Sequence, residues 1–264
     1  MIKTQIQTFR CAEFEMDYAV FGSGSKNFIM LPGLSIKPVT LSADVIAENY
    51  ARFADEYKVY VFDRRRDFPD DYSVHDMASD TAFVLRSLGL FDSYIFGVSQ
   101  GGMIAQYICA EHPELSKKLI LASTSSRSRP DTDRVFSEWS SLAASGDVVG
   151  LNRAFFRYVY SNAFIDMYID VFKALEKTGT REELQKFSIL SKAGMAFDAY
   201  SYLDRIKCPT LVIGAGNDKI MTTDASIEIA QKMGCELYIY PDAAHAVYDE
   251  NPEYKDRIYS FFAD

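Results

Sequence analysis

Ser99 stands in Gly97-Val98-Ser99-Gln100-Gly101, a Gly-x-Ser-x-Gly turn between the apolar run Tyr94-Ile95-Phe96 and the helical stretch Met103-Ile104-Ala105-Gln106-Tyr107. A serine at the tip of a tight strand-to-helix bend has its hydroxyl held clear of the backbone, where it can act as a nucleophile. Gly97 and Gly101 carry no Cβ, so strand and helix can approach closely. The helix N-terminus adds free N–H groups and a dipole that favours an oxyanion. Taken alone, the pentapeptide is equally a glycine-rich turn with a serine N-cap. Its strand–turn–helix setting is what points to catalysis.

A serine hydroxyl needs a base to take its proton, and the base works best when a third group fixes its tautomer. The chain has three histidines. His112, in Glu111-His112-Pro113-Glu114, reads as a helix-stop residue, and His75 as a surface residue at a helix start. His245 lies in Asp242-Ala243-Ala244-His245-Ala246, directly after the last strand-like segment, and is the expected base. For the acid, Gly214-Ala215-Gly216-Asn217-Asp218 follows the preceding strand, which makes Asp218 the expected orienter. Asp218 could also merely cap its turn, and Asp131, Asp133, Asp224, Asp242 and Asp249 are less well placed alternatives. Gly214-x-Gly216 is not a dinucleotide fingerprint, since Lys219 follows and no phosphate-binding helix start does.

The oxyanion formed by attack needs two backbone donors. One should be the N–H of Gln100, beside the nucleophile, and the other that of Leu34, in Leu31-Pro32-Gly33-Leu34-Ser35 after an earlier strand.

These loops need a scaffold. Period-2 segments around Ile6 to Thr8 and Phe14 to Val20, closed by Gly22-Ser23-Gly24, predict an antiparallel hairpin edge. Strand and helix signals then alternate. The strands are 28–31, 57–62, 94–98, 119–122, 210–214 and 236–240, and the helices 41–53, 76–88, 103–111, 224–233 and 252–262. Such alternation implies a mostly parallel sheet with helices on both faces, an α/β fold. Residues 127–199 hold no convincing strand but several helical stretches, including 135–143, 151–160 and 164–175. They read as a helical cap inserted over the carboxyl edge of the sheet, where ligands bind in such folds. The core is then 1–126 with 200–264.

Composition sets limits. Apolar residues at 48% and charged residues at 25% are ordinary for a globular protein. The net charge of −9, with no basic face evident, argues against a nucleic-acid partner. There is no signal-like start and no run of membrane-span length, so a cytoplasmic protein is expected. Cys11, Cys109, Cys208 and Cys235 are scattered without metal-ligand spacing and read as small packing residues; neither a metal nor a cofactor is expected.

In these motifs the chain resembles the α/β-hydrolase superfamily. Leu31-Pro32-Gly33 is similar to its oxyanion loop, Gly97 to Gly102 to its nucleophile elbow, Gly214 to Asp218 to its acid loop, and Asp242 to His245 to its base loop. The order Ser99, Asp218, His245 is also that of the family. The resemblance implies an eight-stranded, mostly parallel sheet and hydrolysis through an acyl-enzyme. Two departures stand out. Pro32-Gly33 replaces the His-Gly of many relatives, and Asp63-Arg64-Arg65-Arg66-Asp67-Phe68 replaces a glycine-rich loop. The arginine run reads as a solvated charge run balanced by Asp63, Asp67, Asp70 and Asp71, the alternative being a holder of an anionic substrate.

The expected function is therefore serine hydrolysis of a small apolar carboxylic ester or lactone, with cap aromatics such as Phe155 and Phe156 offered to the substrate. Carbon–carbon or peptide hydrolysis on the same triad, or a non-catalytic ligand-binding receptor of this fold, are the alternatives.

Overall fold

The computed structural model describes residues 2–263. Eight strands form one sheet: β1 (Gln5–Arg10), β2 (Glu15–Phe21), β3 (Lys26–Leu31), β4 (Tyr57–Arg65), β5 (Ser93–Val98), β6 (Ser116–Ala122), β7 (Thr210–Ala215) and β8 (Glu236–Tyr240). Their spatial order is β1-β2-β4-β3-β5-β6-β7-β8. β1 pairs antiparallel with β2, Gln5 opposite Val20, and β2 is antiparallel to β4. The remaining neighbours are all parallel. The expected hairpin edge and mostly parallel sheet are both present.

Helices α1 (Ala43–Asn49), α2 (Val74–Ser87) and α3 (Gln100–Glu111) precede β6. Between β6 and β7 come α4 (Pro130–Ser145), α5 (Val148–Val159), α6 (Asn162–Met167), α7 (Ile169–Leu175) and α8 (Arg181–Met195). α9 (Thr222–Met233) joins β7 to β8, and α10 (Val247–Glu250) and α11 (Tyr254–Ala263) close the chain. The period of two along β3 divides the core. Ile29 and Leu31 join Leu85 of α2 and Ile108 of α3 on one face, whereas Phe28 and Met30 join Ala47 of α1 and Phe262 of α11 on the other. Covered on both faces, β5 and β7 are buried along their whole length, which is why they read as unbroken apolar runs.

Three expectations change in detail. The helix expected over 41–53 is α1 flanked by 3₁₀ turns at Val39–Ser42 and Ala51–Phe53, broken at Tyr50 (φ −108°, ψ 23°). Both Tyr50 and Phe53 turn into the core there. α2 starts at Val74, ahead of the expected 76, because Ser73 and Asp76 form a capping box. The stretch 164–175 breaks at Tyr168 (φ −113°, ψ 28°) into α6 and α7. At the root of these inserted helices, Arg127 and Asp198 form an antiparallel bridge that brings the entering and leaving chains together. Among the described residues no helix is long and apolar enough to cross a membrane.

Candidate active site

At the end of β5 the backbone of Ser99 takes φ 53°, ψ −122°, a conformation few L-residues adopt. Strain of this kind persists only where the surroundings over-determine it, and here four hydrogen bonds do so. The Ser99 N–H donates to the Ala122 carbonyl of β6 at 2.9 Å. The Ser99 carbonyl accepts from the Gly102 and Met103 N–H groups at 2.9 and 3.2 Å, and from Thr124 Oγ1 at 2.7 Å. A Cβ on Gly101 would stand 1.9 Å from the Leu31 carbonyl oxygen, so only glycine lets α3 begin this close to β3.

Asp218 and His245 are brought together from the carboxyl ends of β7 and β8. Oδ2 of Asp218 lies 2.8 Å from His245 Nδ1, and both side chains are almost wholly buried. The other carboxylate oxygen, Oδ1, accepts from the Ile220 and Met221 N–H groups at 2.8 and 3.0 Å. An ionised carboxylate only accepts, so Nδ1 is the protonated ring nitrogen and Nε2 holds the free lone pair. The two loops are laced to each other. Gly216 N–H donates to the Tyr240 carbonyl and Asn217 N–H to that of Ala243, at 2.8 and 2.9 Å. Ser123, directly after β6, ties β7 and the His245 loop to the strand beside the elbow's own: its N–H donates to the Ile213 carbonyl at 2.8 Å, and its Oγ to the His245 carbonyl at 3.0 Å. Ser99 Oγ forms no hydrogen bond with the His245 ring among the described residues, a contact that in such sites tightens when substrate arrives.

The other histidines are engaged elsewhere, His75 with Glu111 and His112 with Arg86. Of the other aspartates considered, Asp133 accepts from Ser128 and Asp249 from Tyr160. Of the aspartates, only Asp218 bonds a histidine ring among the described residues.

The Gln100 N–H is the first of α3, and helix geometry leaves it without an intrahelical acceptor. Gly33 packs directly over Ser99: a Cβ built on it would lie 3.1 Å from Ser99 Cβ and 3.7 Å from Ser99 Oγ. The next residue is Leu34, and neither its N–H nor that of Gln100 has a partner among the described residues. The two N–H groups expected as oxyanion donors are thus both free among the described residues.

The sequence pattern of the alpha/beta hydrolase fold family matches residues 47–252. The chain belongs to the α/β-hydrolase family. It is similar to RutD of Rhizobium rhizogenes, which carries the provisional name of a carbamate hydrolase. The two are 28% identical over 209 residues, 76% of this chain and 80% of the relative. A pimeloyl-[acyl-carrier protein] methyl ester esterase of Neisseria meningitidis is 27% identical over 182 residues, 64% of this chain and 68% of that one. Among solved structures, an α/β hydrolase from a deep-sea metagenome library of the Medee basin superposes with a TM-score of 0.87. It covers 98% of both chains at 21% identity, a likeness of fold.

Within this α/β-hydrolase the elbow also touches the inserted helices. Gln100 Nε2 donates to the Leu190 carbonyl of α8 at 2.7 Å. Beside it a cavity of about 300 Å³ opens between the loop after β3 (Pro32, Gly33), the end of β4 (Arg64) and α8 (Phe187, Leu190). Phe155 and Phe156, the aromatics expected to meet substrate, are not part of its lining. They pack instead against Trp139, Phe187 and Phe172 inside the helical insertion.

The arginine run also needs correction. Arg65 pairs with Asp80 at 3.4 Å and Arg66 with Asp17 at 2.8 Å, carboxylates on α2 and β2 rather than those adjacent in sequence. Arg64 is half-buried, and its Nη2 donates to the Pro32 carbonyl at 2.9 Å. Sequence reasoning missed the run Ser123-Thr124-Ser125-Ser126, whose four side chains are all buried. Four consecutive hydroxyl or small polar residues after a buried strand were the available signal. Among the described residues no group of three or more His, Cys, Asp or Glu could hold a metal ion.

Proposed function

We propose that this chain is a serine hydrolase that cleaves small carboxylic esters through an acyl-enzyme. The observation that carries the reading is the buried 2.8 Å contact between Asp218 and His245 Nδ1, set behind a serine in a strained elbow. Ser99 Oγ attacks the ester carbonyl while His245 Nε2 takes its proton. The carbonyl oxygen, now an anion, is received by the N–H groups of Leu34 and Gln100. Collapse of this tetrahedral adduct expels the alcohol, protonated by His245, and leaves an ester on Ser99. Water, deprotonated by the same imidazole, then releases the acid. Residues 127–199 act as the cap, their α8 forming one wall of the space above the oxyanion loop. The methyl ester esterase among the relatives supports an ester over an amide or carbon–carbon bond.

A fluorophosphonate probe and a series of short chromogenic esters test this. The wild type should label and turn over, and Ser99→Ala should do neither while keeping its thermal melt. Undiminished hydrolysis in Ser99→Ala would remove Ser99 as nucleophile, and failure of the wild type to label would favour a ligand-binding protein of this fold.

A further inference from the structure

Arg64 is the one arginine of its run whose charge is left without a carboxylate partner within 4.0 Å among the described residues. The acid next to it in sequence is occupied elsewhere: Asp63 accepts from Val39 N–H, Thr40 N–H and Thr40 Oγ1 at 2.8, 3.1 and 2.7 Å. Arg64 spends Nη2 on the Pro32 carbonyl at 2.9 Å and, more weakly, on Gln100 Oε1 at 3.4 Å. Its Nε is buried with no partner. Nη1 is also without one among the described residues, and it is not enclosed. A guanidinium offers five N–H donors and stays charged in proteins. Leaving its buried Nε unpaired is unfavourable, and burial pushes the pKa of the group below the ordinary arginine value. Strand β4 could dispose of the charge by exposing it, as happens at Arg66. All three arginines line the cavity of about 300 Å³, whose wall also includes Gly33, the residue in contact with Ser99, but Arg65 and Arg66 meet it with their charges already paired and Arg64 does not. On the α8 side the lining carries the apolar Phe187 and Leu190 beside Glu182, which pairs with Lys186 at 2.8 Å, and Glu183, which caps the helix at Thr180.

We infer that this cavity is a carboxylate subsite with Arg64 as its anchor, so that the preferred substrate is an ester that itself bears an acid group. The inference rests on the serine-hydrolase reading for the direction of catalysis, but not for the binding of the acid. A substrate lying across Gly33 presents its ester to Ser99 and its carboxylate to Arg64, with its methylenes against α8. The unpaired charge of the free protein is then compensated on binding.

The test reads a ratio, because the hydrogen bond to Pro32 means that any change at Arg64 also disturbs the oxyanion loop. kcat/KM is measured for monomethyl glutarate against dimethyl glutarate, and for acetoxyacetate against its methyl ester. In at least one pair the wild type should prefer the acid, and Arg64→Gln should lower that preference by ~10- to 100-fold, the range for a hydrogen bond to a charged group. Arg64→Lys, which keeps the charge, should restore part of it. Equal losses on acid and neutral esters in both pairs would leave Arg64 as a positioning residue and overturn the subsite. Calorimetry of glutarate with Ser99→Ala separates this from a failure of the hydrolase reading. Binding that Arg64→Gln abolishes supports the subsite even where no ester is turned over, and absent or unchanged binding overturns it.

Discussion

Replacing Asp218 with asparagine should lower kcat by ~10⁴ and leave the protein folded, the loss seen for the same exchange in serine proteases. The structure says why an isosteric change should be so damaging. Asp218 Oδ1 faces two backbone donors, the N–H groups of Ile220 and Met221, at 2.8 and 3.0 Å. An asparagine amide can enter this socket in two ways. With its NH₂ towards the two N–H groups, donors meet donors and two buried N–H groups go unpaired, at ~1–3 kcal/mol each. With its oxygen there, both bonds survive, so this orientation wins. The NH₂ then points at His245 Nδ1 and donates to it, which moves the ring proton to Nε2. An imidazole in that tautomer has no lone pair to offer Ser99. The kinetic loss corresponds to ~5.4 kcal/mol. The stability loss is smaller, ~1.5 kcal/mol for a weakened charge-assisted bond, or a fall in Tm of ~3–6 °C. Initial rates on a short chromogenic ester, read beside a thermal melt, check both. A loss below ~10-fold in a folded Asp218→Asn protein would show that another group orients His245.

Other changes should separate the parts of the site. Gly33→Ala places a methyl 3.1 Å from Ser99 Cβ, displacing the oxyanion loop. kcat should fall by ~10²–10³, the scale of one lost oxyanion donor, with Tm nearly unchanged; full activity would place the oxyanion loop elsewhere. Leu190→Ala, on the cavity wall, should move the best acyl chain to greater length, each added methylene contributing ~0.8 kcal/mol of binding. An unmoved optimum would mean that α8 does not meet the substrate. At the root of the insertion, burial pushes the Glu228 carboxyl up, but hydrogen bonds from Arg127 and Ser126 outweigh it and hold the group below its ordinary 4.5. A depressed carboxylate stabilises the fold above that value and ceases to do so as pH falls through its folded pKa. Glu228→Gln should therefore cost up to ~1 kcal/mol at neutral pH, a difference that vanishes in acid. A difference that grew on acidification would reverse the assigned sign.

Much of this was legible because the chemistry restricts the residue types. Three histidines, one serine in a Gly-x-Ser-x-Gly turn and one aspartate after a buried strand leave few combinations, and the alternation of strands and helices sets their loops at one edge of the sheet. Residues whose partners are remote in sequence were not legible. Ser123 and Thr124 look like ordinary loop positions until His245 and Ser99 fold against them. Tyr168 gives no breaker signal, and its break between α6 and α7 accompanies a packed aromatic group with Phe164 that no local pattern displays.

The arginines show the same limit with a functional consequence. Charge balance counted along the chain matched Arg64, Arg65 and Arg66 with the aspartates around them, whereas the sheet brings β2 beside β4 and gives Arg66 the carboxylates of Glu15 and Asp17. Along a strand successive side chains point to opposite faces, so neighbours in sequence can have different surroundings. All three line the cavity, but Arg65 reaches Asp80 of α2 while Arg64 turns to the Pro32 carbonyl. A run that reads as one solvated patch is thus three separate groups, and the member left without a counter-charge is the one beside the candidate nucleophile's loop. Its placement needs a compensating anion more than its neighbours do, and a substrate carboxylate would supply one.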